Sequence, residues 1–293
     1  MNSPTSPTAM QNASPQSHYP RHFSFEFAAP KSAEALAKLA KTHSLLQALN
    51  PHFFSVTYGA GGSTKDGTRQ AVLDINAAGS LVAPHLSFGG DPASKIAGLL
   101  QEYKAAGVTR VVALRGDVPS GSGGAVKLTY ANELVAFIRQ QTGDHFHIEV
   151  AAYPEVHPDS RSVDSDLQYF KAKVDAGANS AITQYFYNAE AYFRFVEACD
   201  RLGINIPIVP GIMPITNAQA LVRFSANCGA DIPRWIKKHL EAYEDDLPSL
   251  KAFGEEVVTR LCQQLLDGGA PGLHFYTLNQ SAPTLSLWHN LGL

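Results

Sequence analysis

The sequence predicts an α/β protein that folds as a single (β/α)8 TIM barrel. Three observations predict this fold: eight strand-like runs, helical segments between them, and polar residues at the ends of almost every run. A doubly wound sheet has the same alternation but uses about six strands, so the strand count favours the barrel. We expect residues 22–293 to form this barrel, preceded by a disordered tail over 1–21.

The strands are short runs of β-branched and aromatic residues, and Gly, Asn or Pro marks the joins between elements. They are predicted, in order, at 22–27, 53–58, 80–87, 108–116, 146–153, 180–187, 205–212 and 273–279. Helical periodicity predicts helices, among others, at 31–49, 92–106, 130–141, 164–176, 189–202 and 251–267. The stretch 229–250 is predicted to be an insertion with its own short helix at 233–243.

The first strand has two different faces. Phe23, Phe25 and Phe27 share one face, which suits the helix layer, and Ser24 and Glu26 share the other. An inward carboxylate at the end of this strand lies at the C-terminal mouth, where barrel enzymes do their chemistry.

The composition excludes several classes of protein. Lys and Arg total 23 against 26 Asp and Glu, a formal charge of -3, which argues against a nucleic-acid-binding protein. No apolar run reaches the ~18 residues that a membrane helix needs. The 3 cysteines are far apart and lack C-x-x-C spacing, which excludes a disulfide framework and fits the cytoplasm. The uncharged first 20 residues, rich in Ser, Pro and Thr, are typical of a disordered tail.

Polar residues collect at the ends of most predicted strands. Any one of them has an ordinary alternative explanation, as a capping or turn residue. Together they predict a shared site, because the carboxyl ends of barrel strands converge on one rim. The residues are Glu26, Thr57, His85, Arg115, Asp117, Tyr153, His157, Gln184 and Asn279.

Motif spacing argues against other common sites. The glycine-rich run 59–62 lacks the last glycine of G-x-G-x-x-G, and Thr68 stands where a P-loop needs lysine. No lysine lies at a strand end, and neither H-E-x-x-H nor G-x-S-x-G is present. We therefore predict no metal, no covalent nucleophile, and an organic cofactor that carries the chemistry.

A set of segments runs in order across residues 22–280. They are FSFEF (23–27), SVTYGA (55–60), APHL (83–86), ALRGD (113–117), AAYPEVHP (151–158), KVDAGAN (173–179), ITQ (182–184), PGIMP (210–214) and HFYTLN (274–279). With these segments the chain resembles the methylenetetrahydrofolate reductase family. The length corresponds to the catalytic barrel of that family alone, so we expect no regulatory domain.

The resemblance implies a non-covalent FAD lying across the barrel mouth. Arg115 and Lys173 would be the cations for its pyrophosphate. Family roles, carried onto matching positions, assign to the FAD site Thr57, Tyr58, Ala60, His85, Arg115, Gly116, Asp117, Ala131, Tyr153, His157, Ser160, Asp166, Tyr169 and Lys173.

The resemblance also implies a reaction, the ping-pong reduction of 5,10-methylenetetrahydrofolate to 5-methyltetrahydrofolate by NADH or NADPH. Glu26 would be the general acid that protonates N10, and Asp117 would tune the flavin and stabilise the cationic intermediate. Burial beside apolar strands would raise the pKa of Glu26, as an acid working near pH 7 requires. The substrate would contact Glu26, Thr57, Gln184, Phe224 and Gln280.

Two positions depart from the family pattern. Gln280 stands where the family usually has Arg, and Ala220 replaces a glutamine, so the folate contacts are the part most affected. Two alternatives stay open: the same enzyme working physiologically as a 5-methyltetrahydrofolate oxidase, or a flavin- or folate-binding protein without turnover. Relatives form dimers or tetramers, so a homo-oligomer is expected.

Overall fold

The computed structural model describes residues 14–58, 65–88, 91–115 and 130–293. These residues form a barrel of parallel strands surrounded by helices, which confirms the predicted fold. The strands are β1 (His22–Phe27), β2 (Phe53–Val56), β3 (Val82–Leu86), β4 (Arg110–Ala113), β5 (His147–Ala152), β6 (Ser180–Thr183), β7 (Ile208–Val209), β8 (Gly211–Ile212) and β9 (Gly272–Tyr276).

The barrel closes through a strand that is split in two. β7 pairs with β6 and β8 pairs with β9, and only Pro210 separates these two short segments. Proline has no N–H to donate to a strand ladder, so the predicted strand 205–212 is interrupted at this residue. β9 then pairs with β1, so that the sheet has no open edge between the first and last strands.

Helices lie between the strands and in the predicted insertion. They are α1 (Ala33–Gln47), α2 (Lys65–Ala77), α3 (Ala93–Ala105), α4 (Ala131–Thr142), α5 (Val163–Asp175), α6 (Ala189–Arg201), α7 (Ala218–Cys228), α8 (Arg234–Ala242), α9 (Leu247–Asp267) and α10 (Ala282–Asn290). Several start at a side-chain cap, as for Ser32 before α1 and Ser162 before α5. In the described part of the chain, no helix combines the length and apolarity needed to cross a membrane.

The two faces of β1 contact different parts of the molecule, as the alternation of side chains along the strand predicts. Phe25 and Phe27 are fully buried in the core between the strands and the helix layer. Ser24 pairs in register with Phe53 of β2 and therefore faces the barrel interior with it. A separate apolar cluster fills that interior, and it consists of Phe53, Ala83, Val112 and Ile182.

A charged network closes the N-terminal end of the barrel. Arg110 Nη1 donates to Glu149 Oε1 at 2.6 Å, and Arg110 Nη2 lies 2.7 Å from His52 Nε2. Ser180 donates to the other carboxylate oxygen of Glu149, and His147 Nε2 lies 3.3 Å from Oε1. Burial raises the pKa of the Glu149 carboxyl, but His147 and Arg110 outweigh burial and lower it. The buried carboxylate therefore stays charged because of these partners.

The segment before β1 contradicts the predicted disordered tail over 14–21. Gln16 is only 3% exposed, and its Nε2 donates to Ile206 O at 3.3 Å. Its Oε1 accepts from Ile208 N at 2.8 Å, and Arg21 Nη2 donates to Leu266 O at 2.7 Å. These bonds satisfy backbone groups beside the short β7 strand, which composition alone does not reveal. Residues 1–13 lie outside the described residues.

Candidate active site

A largely buried carboxylate lies between two imidazoles at the C-terminal mouth of the barrel. Glu26 Oε2 is 3.2 Å from His85 Nε2 and 3.5 Å from His274 Nε2. The three side chains come from β1, β3 and β9, which meet at this end of the barrel. Both imidazole nitrogens are buried, and neither has any other hydrogen-bond partner in the ranges that the structure describes. Glu26 is therefore the polar group that both rings face.

The register between β1 and β9 positions one of these imidazoles. Ser24 lies opposite His274, and Glu26 lies opposite Tyr276. Ser24 Oγ and His274 Nδ1 are 2.7 Å apart and hydrogen-bonded, so Ser24 orients the ring from the side opposite to Glu26. Tyr276 donates its hydroxyl proton to Thr183 O at 2.7 Å and spans the mouth toward β6.

The ionisation of Glu26 differs from the prediction. Burial alone would raise the pKa of Glu26, as expected from the sequence, but His85 and His274 outweigh burial and lower it to about 2. The prediction of a raised pKa is therefore wrong for the protein without substrate. Strand alternation indicated that the carboxylate points inward, but not that two imidazoles from remote strands face it.

A second polar cluster follows β4 and β5. Arg115 Nη2 donates to Asp159 Oδ2 at 2.5 Å, and Asp159 N donates to His157 Nδ1 at 3.0 Å. His157 N donates to Asp166 Oδ2 at 3.1 Å, and Ser160 Oγ donates to Asp166 Oδ1 at 2.7 Å. The structure thus brings together four residues that the resemblance assigns to FAD, and adds Asp159.

The turn that holds His157 is strained. Val156 has φ of +73°, a left-handed conformation that β-branched residues rarely adopt. Tyr153 precedes Val156 in the sequence and His157 follows it, and the centroids of their rings are 4.5 Å apart. Such strain is found where the surrounding structure fixes functional side chains. Burial lowers the pKa of His157, and the cationic Arg115 lowers it further.

Lys173 extends from α5 toward β5. Its Nζ donates to Ala151 O at 2.5 Å and lies 5.4 Å from the centre of the Phe170 ring. Burial lowers the pKa of Lys173 to about 8, with Asp166 acting in the opposite direction. The ammonium group is therefore still charged near pH 7, as a phosphate-binding residue must be.

Thr57 and Tyr58 follow β2 with firm local contacts. Thr57 Oγ1 accepts from Ala29 N at 3.0 Å, which ties it to the end of β1. The Tyr58 hydroxyl donates to Asp91 Oδ2 at 3.4 Å. Burial raises the pKa of Tyr58, and Asp91 raises it further, so this phenol is a neutral donor.

Two exposed aromatic rings stack beside the start of α4. Tyr130 and Tyr169 lie parallel within 7°, with centroids 6.2 Å apart, and are 53% and 56% exposed. Ala131 is the first residue of α4 and follows Tyr130 directly. Exposed parallel rings of this kind suit contact with a flat ligand ring.

The predicted substrate residues are spread over a wider area. Gln184 Oε1 accepts from Tyr185 N at 3.0 Å, and Phe224 is a 41% exposed residue on α7. Gln280 lines a cavity of about 320 Å³ between α9, α10 and the segment after β8, together with Lys251. These three roles stay predictions, as do those of Ala60, Gly116 and Asp117, which lie outside the described residues.

Sequence reasoning missed His274 and Ser24 as members of the site. His274 was part of a matching segment, but no role was assigned to it. Period-two alternation would place His274 and Tyr276 on one face of the last strand, opposite Ser24 and Glu26. That signal depends on the pairing of the first and last strands, which a closed barrel requires.

The arrangement can hold and move protons at one end of the mouth and bind an anion at the other. The Glu26 carboxylate with two imidazoles can exchange a proton with a bound molecule. Arg115 and Lys173 provide positive charge for phosphate groups. Fold and site together define an α/β-barrel enzyme with acid–base groups at the C-terminal ends of its strands.

Comparison with known proteins identifies the family. The family model of methylenetetrahydrofolate reductase matches residues 13–292. The chain is 40% identical over 271 residues to 5,10-methylenetetrahydrofolate reductase of Buchnera aphidicola, which covers 92% of this chain and 91% of that protein. The Escherichia coli protein of the same name is 37% identical over 271 residues, covering 92% and 90%. The chain belongs to the methylenetetrahydrofolate reductase family and is an enzyme of that family.

Solved structures share the fold at low sequence identity. A Clostridium thermocellum protein described as binding two copies of 5-methyl-5,6,7,8-tetrahydrofolic acid has a TM-score of 0.68 at 16% identity, covering 94% of this chain and 97% of that one. The tryptophan synthase α-subunit of Pyrococcus furiosus has a TM-score of 0.50 at 12% identity, covering 94% and 99%. These similarities support the barrel architecture alone.

Proposed function

We propose that the protein reduces 5,10-methylenetetrahydrofolate to 5-methyltetrahydrofolate, with electrons from NADH or NADPH passing through a bound FAD. One observation carries the acid–base part of this proposal: Glu26 lies within 3.2 Å and 3.5 Å of two imidazole nitrogens at the barrel mouth. The reaction consumes one proton for each folate reduced, and a carboxyl group positioned at the substrate can deliver it. The reductases that this chain resembles support the choice of substrate.

The donor set fits FAD. Arg115 and Lys173 offer the cations that a pyrophosphate needs, and the His157–Ser160–Asp166 turn offers hydrogen-bonding groups beside them. The parallel rings of Tyr130 and Tyr169 offer apolar faces to a ring system. When bound, FAD supplies the hydride chemistry that no side chain provides.

Glu26 acts as the general acid in this proposal. Without substrate it is a carboxylate, because its pKa is about 2. Substrate that fills the mouth excludes water and strengthens the effect of burial, which raises a carboxyl pKa. Glu26 takes its acid form only while folate is bound. It then protonates N10 of the folate and helps to open the five-membered ring of the substrate.

Replacing Glu26 with Gln tests the acid role. We expect Glu26→Gln to keep reduction of the flavin by NADH and to lose folate reduction about 10²–10⁴-fold, the usual contribution of a general acid. Stopped-flow flavin absorbance measures the two half-reactions separately, so each preparation is its own control. Equal losses in both half-reactions would contradict the acid role, and a protein that never takes up FAD would contradict the proposed function itself.

A further inference from the structure

We propose that His274, held by Ser24, is a positioning residue that passes a proton from its Nε2 to Glu26 during folate reduction. The inference rests on the proposed function, because His274 would supply the proton that Glu26 delivers to the folate. The distances that support it are 3.5 Å from His274 Nε2 to Glu26 Oε2 and 2.7 Å from His274 Nδ1 to Ser24 Oγ.

Burial isolates this chain of groups from water. His274 is 0% exposed and Ser24 is 3% exposed. His274 Nε2 has no hydrogen-bond partner within the part of the chain that the structure describes, apart from its contact with Glu26. Burying a polar nitrogen that makes no hydrogen bond costs free energy of folding. A proton shared between His274 Nε2 and the Glu26 carboxylate removes that cost.

Ser24 decides which nitrogen of His274 exchanges a proton. The bond that one ring nitrogen makes fixes the role of the other. When Ser24 Oγ accepts from Nδ1–H, that proton stays in place, and Nε2 is the nitrogen that gains and loses a proton. The titrating nitrogen is then the one that faces Glu26.

The proton count balances without any further reactant. Before the step, His274 is an imidazolium and Glu26 is a carboxylate. The Nε2–H bond breaks as an O–H bond forms on Glu26, and that proton then bonds to N10 of the substrate. Afterwards His274 is a neutral ring with its proton on Nδ1 and Glu26 is again a carboxylate; before the next turnover one proton from solvent returns to His274 through Glu26, whose side chain is 15% exposed at the mouth.

Other titratable groups also face Glu26. His85 of β3 contacts the same oxygen at 3.2 Å, and Tyr276 of β9 lies in register with Glu26. Tyr276 is bound to Thr183 O, and burial keeps its pKa well above the ordinary value, so it stays a neutral donor. The His85 ring also faces Glu26, but no hydrogen bond from a second residue that would orient this ring is found in the described ranges. The ring locked by Ser24 is therefore the better-oriented donor.

The test follows the pH dependence of the folate half-reaction in the FAD-loaded protein. We expect His274→Gln to slow this half-reaction at least tenfold, because the imidazolium that supplies the proton is lost. The pH above which the rate of the half-reaction falls, its pH limb, should move at least one pH unit lower. Flavin reduction by NADH should change less than twofold. Ser24→Ala should show the same shift in weaker form, and Ser24→Thr, which keeps the hydroxyl, should restore the wild-type profile.

A spectroscopic measurement supplies a readout that does not depend on turnover. ¹⁵N chemical shifts of the His274 ring should show Nδ1 protonated throughout and Nε2 as the titrating nitrogen, and Ser24→Ala should mix the two tautomers. An unmoved pH limb in His274→Gln, or a limb that moves only in His85→Gln, would overturn the relay. Loss of folate reduction in Glu26→Gln with an unmoved limb in His274→Gln would overturn the relay alone and leave the proposed function intact.

Discussion

Arg115 has a partner in the structure, Asp159, and a second, proposed partner in the FAD phosphates. It donates to Asp159 at 2.5 Å, and its side chain is 31% exposed while that of Asp159 is 62% exposed. An ion pair this exposed adds little to stability, because water and salt screen it. Asp159 can therefore release Arg115 at little cost, as the proposed binding of Arg115 to the FAD phosphates requires.

Paired substitutions at this site test the proposed cofactor contact. We expect Arg115→Gln to weaken FAD binding about tenfold to a hundredfold, since a hydrogen bond to a charged group contributes about 1.5–3 kcal/mol. Asp159→Asn is the matched control, because it frees Arg115 and should leave FAD affinity equal or slightly higher. Flavin fluorescence titration measures both dissociation constants. Equal affinity in Arg115→Gln and the wild type would remove Arg115 from the site.

The residue-level roles were accessible from the sequence only in part. Arg115 and His157 could be predicted as members of the cofactor site because they lie in segments that match the family pattern, whereas Ser160 and Asp166 lie outside those segments. The ionisation of Glu26 could not, because it depends on two imidazoles from other strands. Electrostatic effects follow distance in space, and residue spacing along the chain does not report that distance.

Among the elements, β8 depends on a particular residue, Gly211. Gly211 N donates to Thr183 Oγ1 at 2.9 Å, so β8 passes directly beside the end of β6. A Cβ at Gly211 would lie 2.2 Å from Thr183 O and 2.7 Å from the Tyr276 hydroxyl. The absence of a side chain at Gly211 leaves room for the Tyr276 ring, whose hydroxyl donates to Thr183 O.

Alanine at this glycine should destabilise the barrel. We expect Gly211→Ala to lower the free energy of unfolding by about 1–3 kcal/mol, because the backbone oxygen of Thr183 cannot move aside cheaply. Gly98→Ala in α3 is the control, since no atom lies within 4 Å of its added Cβ. That exposed helical position should gain about 0.5–1 kcal/mol. Urea unfolding measures both, and equal midpoints for the two variants would contradict this account of β8.

For the whole molecule, the two ends of the barrel have different electrostatic roles. The C-terminal mouth holds the Glu26 group, while Arg110, Glu149 and His52 close the N-terminal end. Burial, together with the cationic Arg110 beside it, lowers the pKa of His52 to about 4. The folded chain therefore disfavours a proton on His52 that the unfolded chain accepts at an ordinary pKa of about 6.5.

This difference predicts the pH dependence of stability. Between about pH 6.5 and pH 4 the unfolded state binds more protons than the folded state, so stability falls as the pH is lowered through that window. Glu149 and Glu26 have lowered pKa values and add to the loss only at still lower pH. We expect His52→Gln, which can still accept from Arg110, to flatten the slope between pH 6.5 and 4.5.

Urea unfolding at several pH values checks this prediction. His18→Gln removes an exposed histidine and serves as the control, and it should keep the wild-type slope. A slope in His52→Gln as steep as that of the wild type would show that other groups dominate acid unfolding.

The sequence by itself determined the barrel, the inward direction of Glu26, the short helix of the insertion and the family. Each of these follows from local periodicity, from strand count or from ordered motifs, all of which lie along the chain. Only the tertiary structure decided that Gln16 binds the backbone of β7, that Ser24 holds His274, and that Glu26 is a carboxylate at rest. Ser24 and His274 are 250 residues apart in sequence, and barrel closure brings them within 2.7 Å. Hydrogen bonds and pKa values depend on such distances, so they appear only once the first and last strands are paired.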